Sequence, residues 1–215
     1  MSSHSTDTPA ETPTETRADT LTQTPAQTIG PFYGYALPFE DGEKLVDRAH
    51  PQAIRLHGTV YDGAGEVIPD ALLEIWQADA QGRISAEHGS LTRDGYTFTG
   101  WGRTPVDNVG RYRFTTVNPG PTSSGSAPFI LLTIFARGLL DRLFTRIYLP
   151  EDTAALEADP LLSSLPQERR STLIAAREPD GDLRFDVHLQ GEQETVFLQY
   201  PRTPQVTGLD GDTQW

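Results

Sequence analysis

Residues 54–84 read IRLHGTVYDGAGEVIPDALLEIWQADAQGRI, and this stretch decides the fold. Ile54, Leu56, Gly58 and Val60 alternate with Arg55, His57, Thr59 and Tyr61, the period of two that marks a half-buried strand. Asp62-Gly63-Ala64-Gly65 then supplies residues that let a backbone reverse at little steric cost. A second strand follows over Ala71–Gln77, with Leu73 and Ile75 on one face and Leu72, Glu74 and Trp76 on the other. Strand, turn and strand predict an all-β β-sandwich.

Working outward, Arg111-Tyr112-Arg113-Phe114 alternates with its aromatics inward, and Asn118-Pro119-Gly120-Pro121 ends that strand. Phe129–Ala136 is apolar on both faces, so one face should meet the core and the other a cover, with a subunit interface as one candidate. Leu183, Phe185, Val187 and Leu189 alternate with polar residues, and Thr195–Tyr200 predicts a final strand. Long loops are expected between Trp76 and Trp101, and Pro166–Ala176 reads as a short helix, one of one or two in the chain. Residues 1–23 hold almost nothing to bury and predict a flexible N-terminal arm, His4 included; residues 24–215 form the sandwich domain. Gln27–Tyr33 crosses the surface in extended form, because Pro31 drives Gly30 away from the helical region, and the residues alone read it as a loop pinned by Phe32 and Tyr33.

The 215 residues carry 30 acidic and 17 basic side chains, a formal charge of -13 that argues against nucleic-acid or anionic-membrane surfaces. An anionic small molecule would need a local cation. The absence of cysteine excludes disulfides and thiolate metal sites. Neither an N-terminal apolar leader nor a long apolar span is present, so the expected location is cytoplasmic. Motifs for a serine nucleophile elbow, a P-loop or a dinucleotide fold are missing.

LHGTVYDGAG followed by PDALLEIWQADAQGR resembles the signature of the intradiol ring-cleavage dioxygenases, non-haem iron enzymes that open catechol rings. TPAQTIGPFY at residues 24–33, GRYRFTTVNPGP at 110–121, APFILLTIFARGLL at 127–140, TRIYLP at 145–150 and FDVHLQGEQETVFLQY at 185–200 follow in family order. FARG, TRIY and QGEQETVF in particular resemble the alpha subunits of heteromeric members. The family holds ferric iron with two tyrosines and two histidines. By the resemblance, the tyrosine positions are Ile84 and Thr122 here, and the H-x-H positions are Phe129 and Leu131. None of these binds iron well. The resemblance therefore implies no metal in this chain, a vacated cavity that is filled, and Fe(3+) bound by a homologous beta subunit in an αβ protomer of a higher hetero-oligomer.

The histidines offer no substitute set: His50, His57, His88 and His188 share no ligand spacing and are expected at the surface. Arg137 stands out because it directly follows the apolar strand and precedes Gly138. Residue pattern alone leaves it divided between a structural arginine paired with a carboxylate and a group awaiting an anion. The resemblance implies the second: Arg137 reaches a small aromatic carboxylate substrate in a pocket shared with the beta subunit, while Thr28, Gly30 and Pro31 line its mouth. Arg146 is read as structural. A non-catalytic binding or scaffold protein on the same sandwich is the alternative, and a self-sufficient iron enzyme with unusual ligands is a third.

Overall fold

The structure is a computed structural model that describes residues 28–30, 32–86, 93–94 and 97–200. The expected arm at 1–23, with His4, and the residues Pro31 and His88 lie outside the described residues. After a single helical turn, α1 (Tyr33–Ala36), the chain lays down β1 (Ile54–Tyr61), β2 (Leu72–Gln77), β3 (Trp101–Pro105), β4 (Arg111–Thr116), β5 (Phe129–Phe135) and β6 (Leu143–Tyr148). Three short helices, α2 (Thr153–Ala158), α3 (Pro160–Ser164) and α4 (Gln167–Arg170), lead to β7 (Ala176–Arg177), β8 (Leu183–Arg184) and β9 (Val187–His188). One sheet runs β4-β1-β8-β7 with β9 also on β1; the other runs β3-β2-β5-β6.

The opening stretch does not form a simple hairpin. Asp62–Gly65 does reverse the chain, with Tyr61 bridging Val67 and the Ile68 N–H donating to the Val60 carbonyl at 2.9 Å. Pro69 and Asp70 then carry it into the other sheet, so β1 and β2 face each other across the core instead of pairing. Leu56, Val60 and Phe114 from one sheet meet Leu73, Ile75, Ile130, Leu132 and Ile134 from the other, all essentially inaccessible to water. Each contributes about 1.5–3 kcal/mol of burial.

Three expected elements are altered by tertiary contacts. The alternating run 183–190 breaks into β8 and β9 because carboxylates replace backbone acceptors there: Asp182 Oδ1 accepts from Arg55 N–H at 2.9 Å, and Asp186 Oδ1 from Thr59 N–H at 3.0 Å. The helix expected over Pro166–Ala176 is α4 plus a 3-10 turn that stops at Leu173, since the Ala175 N–H donates to the Tyr148 carbonyl and Ala176 joins β7. Thr195–Tyr200 forms no strand. It passes from His188 of one sheet to Phe144 of the other with single hydrogen bonds, Thr195 N–H to His188 O at 2.9 Å and Leu198 N–H to Phe144 O at 2.7 Å, and so cannot build a ladder. The described residues also hold four short helices against the one or two expected, and β3 and β6 stand where no strand was predicted.

Candidate functional site

Two places carry the residues singled out above, and they lie at opposite ends of β5. At the first, Gln77 at the end of β2 pairs in register with Ile130 at the start of β5. The Gln77 amide donates to the Val117 carbonyl at 2.8 Å and accepts from the Thr116 hydroxyl at 2.7 Å, which ties the ends of the two sheets together. The turn 79–83 follows, and its Asp79 carbonyl accepts from the Gly120 N–H at 2.8 Å. A Cβ at Gly82, whose φ is +79°, would meet the Pro121 carbonyl oxygen, so the two turns pack backbone on backbone. Ile84 and Thr122 thus leave adjacent turns, beside the start of β5 with Phe129 and Leu131 on one face.

This frame surrounds groups unsuited to a cation. Arg146 on β6 lies in register with Leu131, and its guanidinium carbon is 4.0 Å from the centre of the Phe129 ring. The resulting cation–π contact puts a fixed positive charge beside the two histidine positions. Arg146 Nη1 donates to the Tyr148 hydroxyl at 3.2 Å, while its buried Nε finds no partner among the described residues. Tyr148 donates to Asp159 Oδ1 at 3.0 Å, and that fully buried carboxylate also accepts from the N–H groups of Ala127, Leu161 and Leu162. Burial outweighs the opposing pull of Arg146 and, with a smaller push from Asp159, leaves the Tyr148 phenol raised to about 12, so it remains a neutral donor. Phe129 and Tyr148 pack with Leu162 and Leu173 beneath the helices, while Ile84, 63% exposed, and Thr122 point to solvent. Isoleucine, threonine, phenylalanine and leucine beside a guanidinium do not fit ferric iron.

The histidines are spread apart. His57 Nε2 is 2.9 Å from Glu178 Oε2, His188 stacks on Tyr61 with ring centres 5.0 Å apart, and His50 Nδ1 accepts from the Gln52 N–H. Their sites lie along β1, β9 and the loop before β1, so they share no coordination sphere.

The second place gathers the other candidates. Arg137 follows β5, eight residues beyond Phe129, which sets it on the order of 25 Å from the first place along an extended strand. Its Nε pairs with Asp70 Oδ2 at 2.9 Å, yet the Arg137 side chain stays 61% exposed. The Ile29 N–H donates to the Leu139 carbonyl at 2.9 Å, which holds Thr28–Gly30 against the loop that carries Arg137; Thr28 and Gly30 are both exposed. Tyr33 donates its hydroxyl to the Asp70 carbonyl at 2.5 Å. Burial first, and the Asp70 charge next, push the Tyr33 phenol up to about 12. Asp70 escaped the sequence analysis, its only signal being its place inside the family-like PDALLEIWQ run, while Tyr33 does pin its loop as expected and Phe32, 80% exposed, does not.

An intradiol-type sandwich is the class these features define. A family model described as Dioxygenase matches residues 29–191, and the chain belongs to this family, that of the iron-dependent intradiol ring-cleavage dioxygenases. It is 40% identical over 188 residues to the protocatechuate 3,4-dioxygenase alpha chain of Burkholderia cepacia, covering 80% of this chain and 94% of the relative. The alpha chain of Pseudomonas putida is 38% identical, with 81% and 94% covered. The corresponding beta chain of Burkholderia cepacia is 32% identical over 73% of this chain and 70% of its own length. Among solved structures, the dioxygenase domain of a carbohydrate-binding fusion from Streptomyces sp. SirexAA-E matches with a TM-score of 0.54 at 24% identity, covering 78% of this chain and 98% of that one. That likeness is one of fold. Among the described residues no helix is long and apolar enough to cross a membrane.

Proposed function

We propose that this chain is the alpha, non-iron-binding subunit of a cytoplasmic protocatechuate 3,4-dioxygenase. In complex with a homologous beta subunit that carries Fe(3+), it takes part in the opening of 3,4-dihydroxybenzoate by O2 to 3-carboxy-cis,cis-muconate. The observation that carries this reading is the separation of the two places. Arg137 is too far from this chain's own emptied ligand positions to serve them, and its exposed guanidinium is offered to something beyond the chain.

In this scheme Arg137 binds the carboxylate of the substrate, for which a guanidinium supplies paired donors and the cation that a chain of net charge -13 otherwise lacks. Thr28, Gly30 and Pro31 close the mouth of the shared pocket. The outer face of the β3-β2-β5-β6 sheet, where Trp76 is 51% exposed in register with Leu131, supplies apolar surface for the beta subunit. Arg137→Ala in the assembled enzyme is expected to raise KM for 3,4-dihydroxybenzoate at least tenfold, equivalent to about 1.4 kcal/mol of lost binding, without moving the melting temperature. Unchanged kinetics would refute the assignment of Arg137.

A further inference from the structure

We propose that Asp70 is a positioning residue for substrate selection, holding Arg137 by one edge so that the other edge stays open to a carboxylate. This rests on the reading of Arg137 as the carboxylate-binding group. A guanidinium has one Nε and two Nη atoms in a rigid plane. Asp70 Oδ2 takes the Nε side at 2.9 Å, and no other side-chain partner of Arg137 is found among the described residues. Both Nη atoms are therefore left without a protein acceptor there, the arrangement an incoming carboxylate requires for a two-point contact.

Asp70 can hold an exposed arginine only if it is itself held. It sits in the crossover between the sheets, ahead of Ala71, which is almost completely buried and whose carbonyl accepts from the Val106 N–H at 2.9 Å. On the other side the Tyr33 hydroxyl clamps the Asp70 carbonyl. Its phenol, with the proton held to about 12, stays a donor at any physiological pH. The same contact ties Asp70 to the segment that bears Gly30, so the mouth residues, the clamp and the cation form one unit.

Asp70 exerts two opposed effects on an anionic substrate: its negative charge repels the ligand, and its grip removes the freedom of a long, exposed side chain before binding. The repulsion acts through solvent over a longer distance and is screened by salt more strongly than the contact pair that restricts the rotamers. At moderate ionic strength the grip dominates, and Asp70 improves binding of carboxylate-bearing catechols alone.

The test uses the complex of this chain with its beta subunit, comparing 3,4-dihydroxybenzoate with catechol, which lacks the carboxylate, at about 0.15 M and about 0.5 M salt. Asp70→Asn, nearly isosteric, is expected to raise KM for 3,4-dihydroxybenzoate by about threefold to fivefold at both salt concentrations, as for a partly exposed ion pair. The kcat for that substrate and the KM for catechol should stay unchanged, and Asp70→Glu should recover most of the loss. An unchanged or lowered KM for 3,4-dihydroxybenzoate, or an equal rise for both substrates, would overturn the proposal. Arg137→Ala measured alongside separates the two levels. A carboxylate-selective defect there with none in Asp70→Asn removes only the role of Asp70; no selective defect in either removes the reading of Arg137 as well.

Discussion

Gly58 shows how one residue sets the course of a distant segment. A Cβ there would stand 1.8 Å from the carbonyl oxygen of Phe185, which also accepts from the buried Tyr112 hydroxyl at 2.6 Å. No rotamer relieves a clash with backbone. Gly58→Ala is therefore expected to destabilise the chain by about 3 kcal/mol or more, seen as a lowered denaturant midpoint; a midpoint within error of the parent would contradict this close approach. The sequence reading placed Gly58 on the buried face of β1 but gave no sign of its neighbour, because a close backbone contact leaves no pattern of hydrophobicity. The matched motifs made Ile84, Thr122, Phe129 and Leu131 legible as the positions to inspect. Their surroundings were not: the stacking of Arg146 on Phe129 depends on the β5–β6 register, which joins residues on separate strands.

At the scale of elements, periodicity succeeded where a strand is paired along its length and failed where side chains intrude. β1, β2 and β4 follow the predicted alternation, with inward residues buried at every second position through most of their lengths, while β5, read as apolar on both faces, buries Ile130, Leu132 and Ile134 fully and leaves Phe129, Leu131 and Phe135 half-buried. The 183–190 run has the same pattern, but Asp182 and Asp186 offer their carboxylates to β1 and interrupt the ladder. Charge in an apparent outward position thus served as a structural acceptor. Asp186→Ala leaves the half-buried Thr59 N–H without its acceptor and should cost about 1–3 kcal/mol, read by chemical denaturation. Asp186→Asn retains an acceptor oxygen and is expected to lose less; equal losses in the two variants would show that the carboxylate acts through its charge on Arg184, 2.7 Å away, rather than through the amide.

For the whole molecule, the sandwich keeps the frame of an intradiol dioxygenase, and the four positions that the resemblance matches to iron ligands hold Ile84, Thr122, Phe129 and Leu131, which are poor donors for iron. The two ends of β5 have diverged in kind: one is packed with Phe129, Tyr148 and Arg146, and the other presents an exposed cation beside the segment at Thr28–Gly30. In the proposed reading, a chain built in this way takes part in ring cleavage only with a partner that supplies the metal. The most direct test is iron content and 3,4-dihydroxybenzoate-dependent oxygen uptake, measured on the chain purified alone and on the complex purified after co-expression with its beta subunit. The chain alone should hold no stoichiometric iron and consume no oxygen, and both properties should appear in a stable complex. Stoichiometric iron with ring-cleaving activity in the isolated chain would contradict the account, because it would require ligands other than the four positions identified.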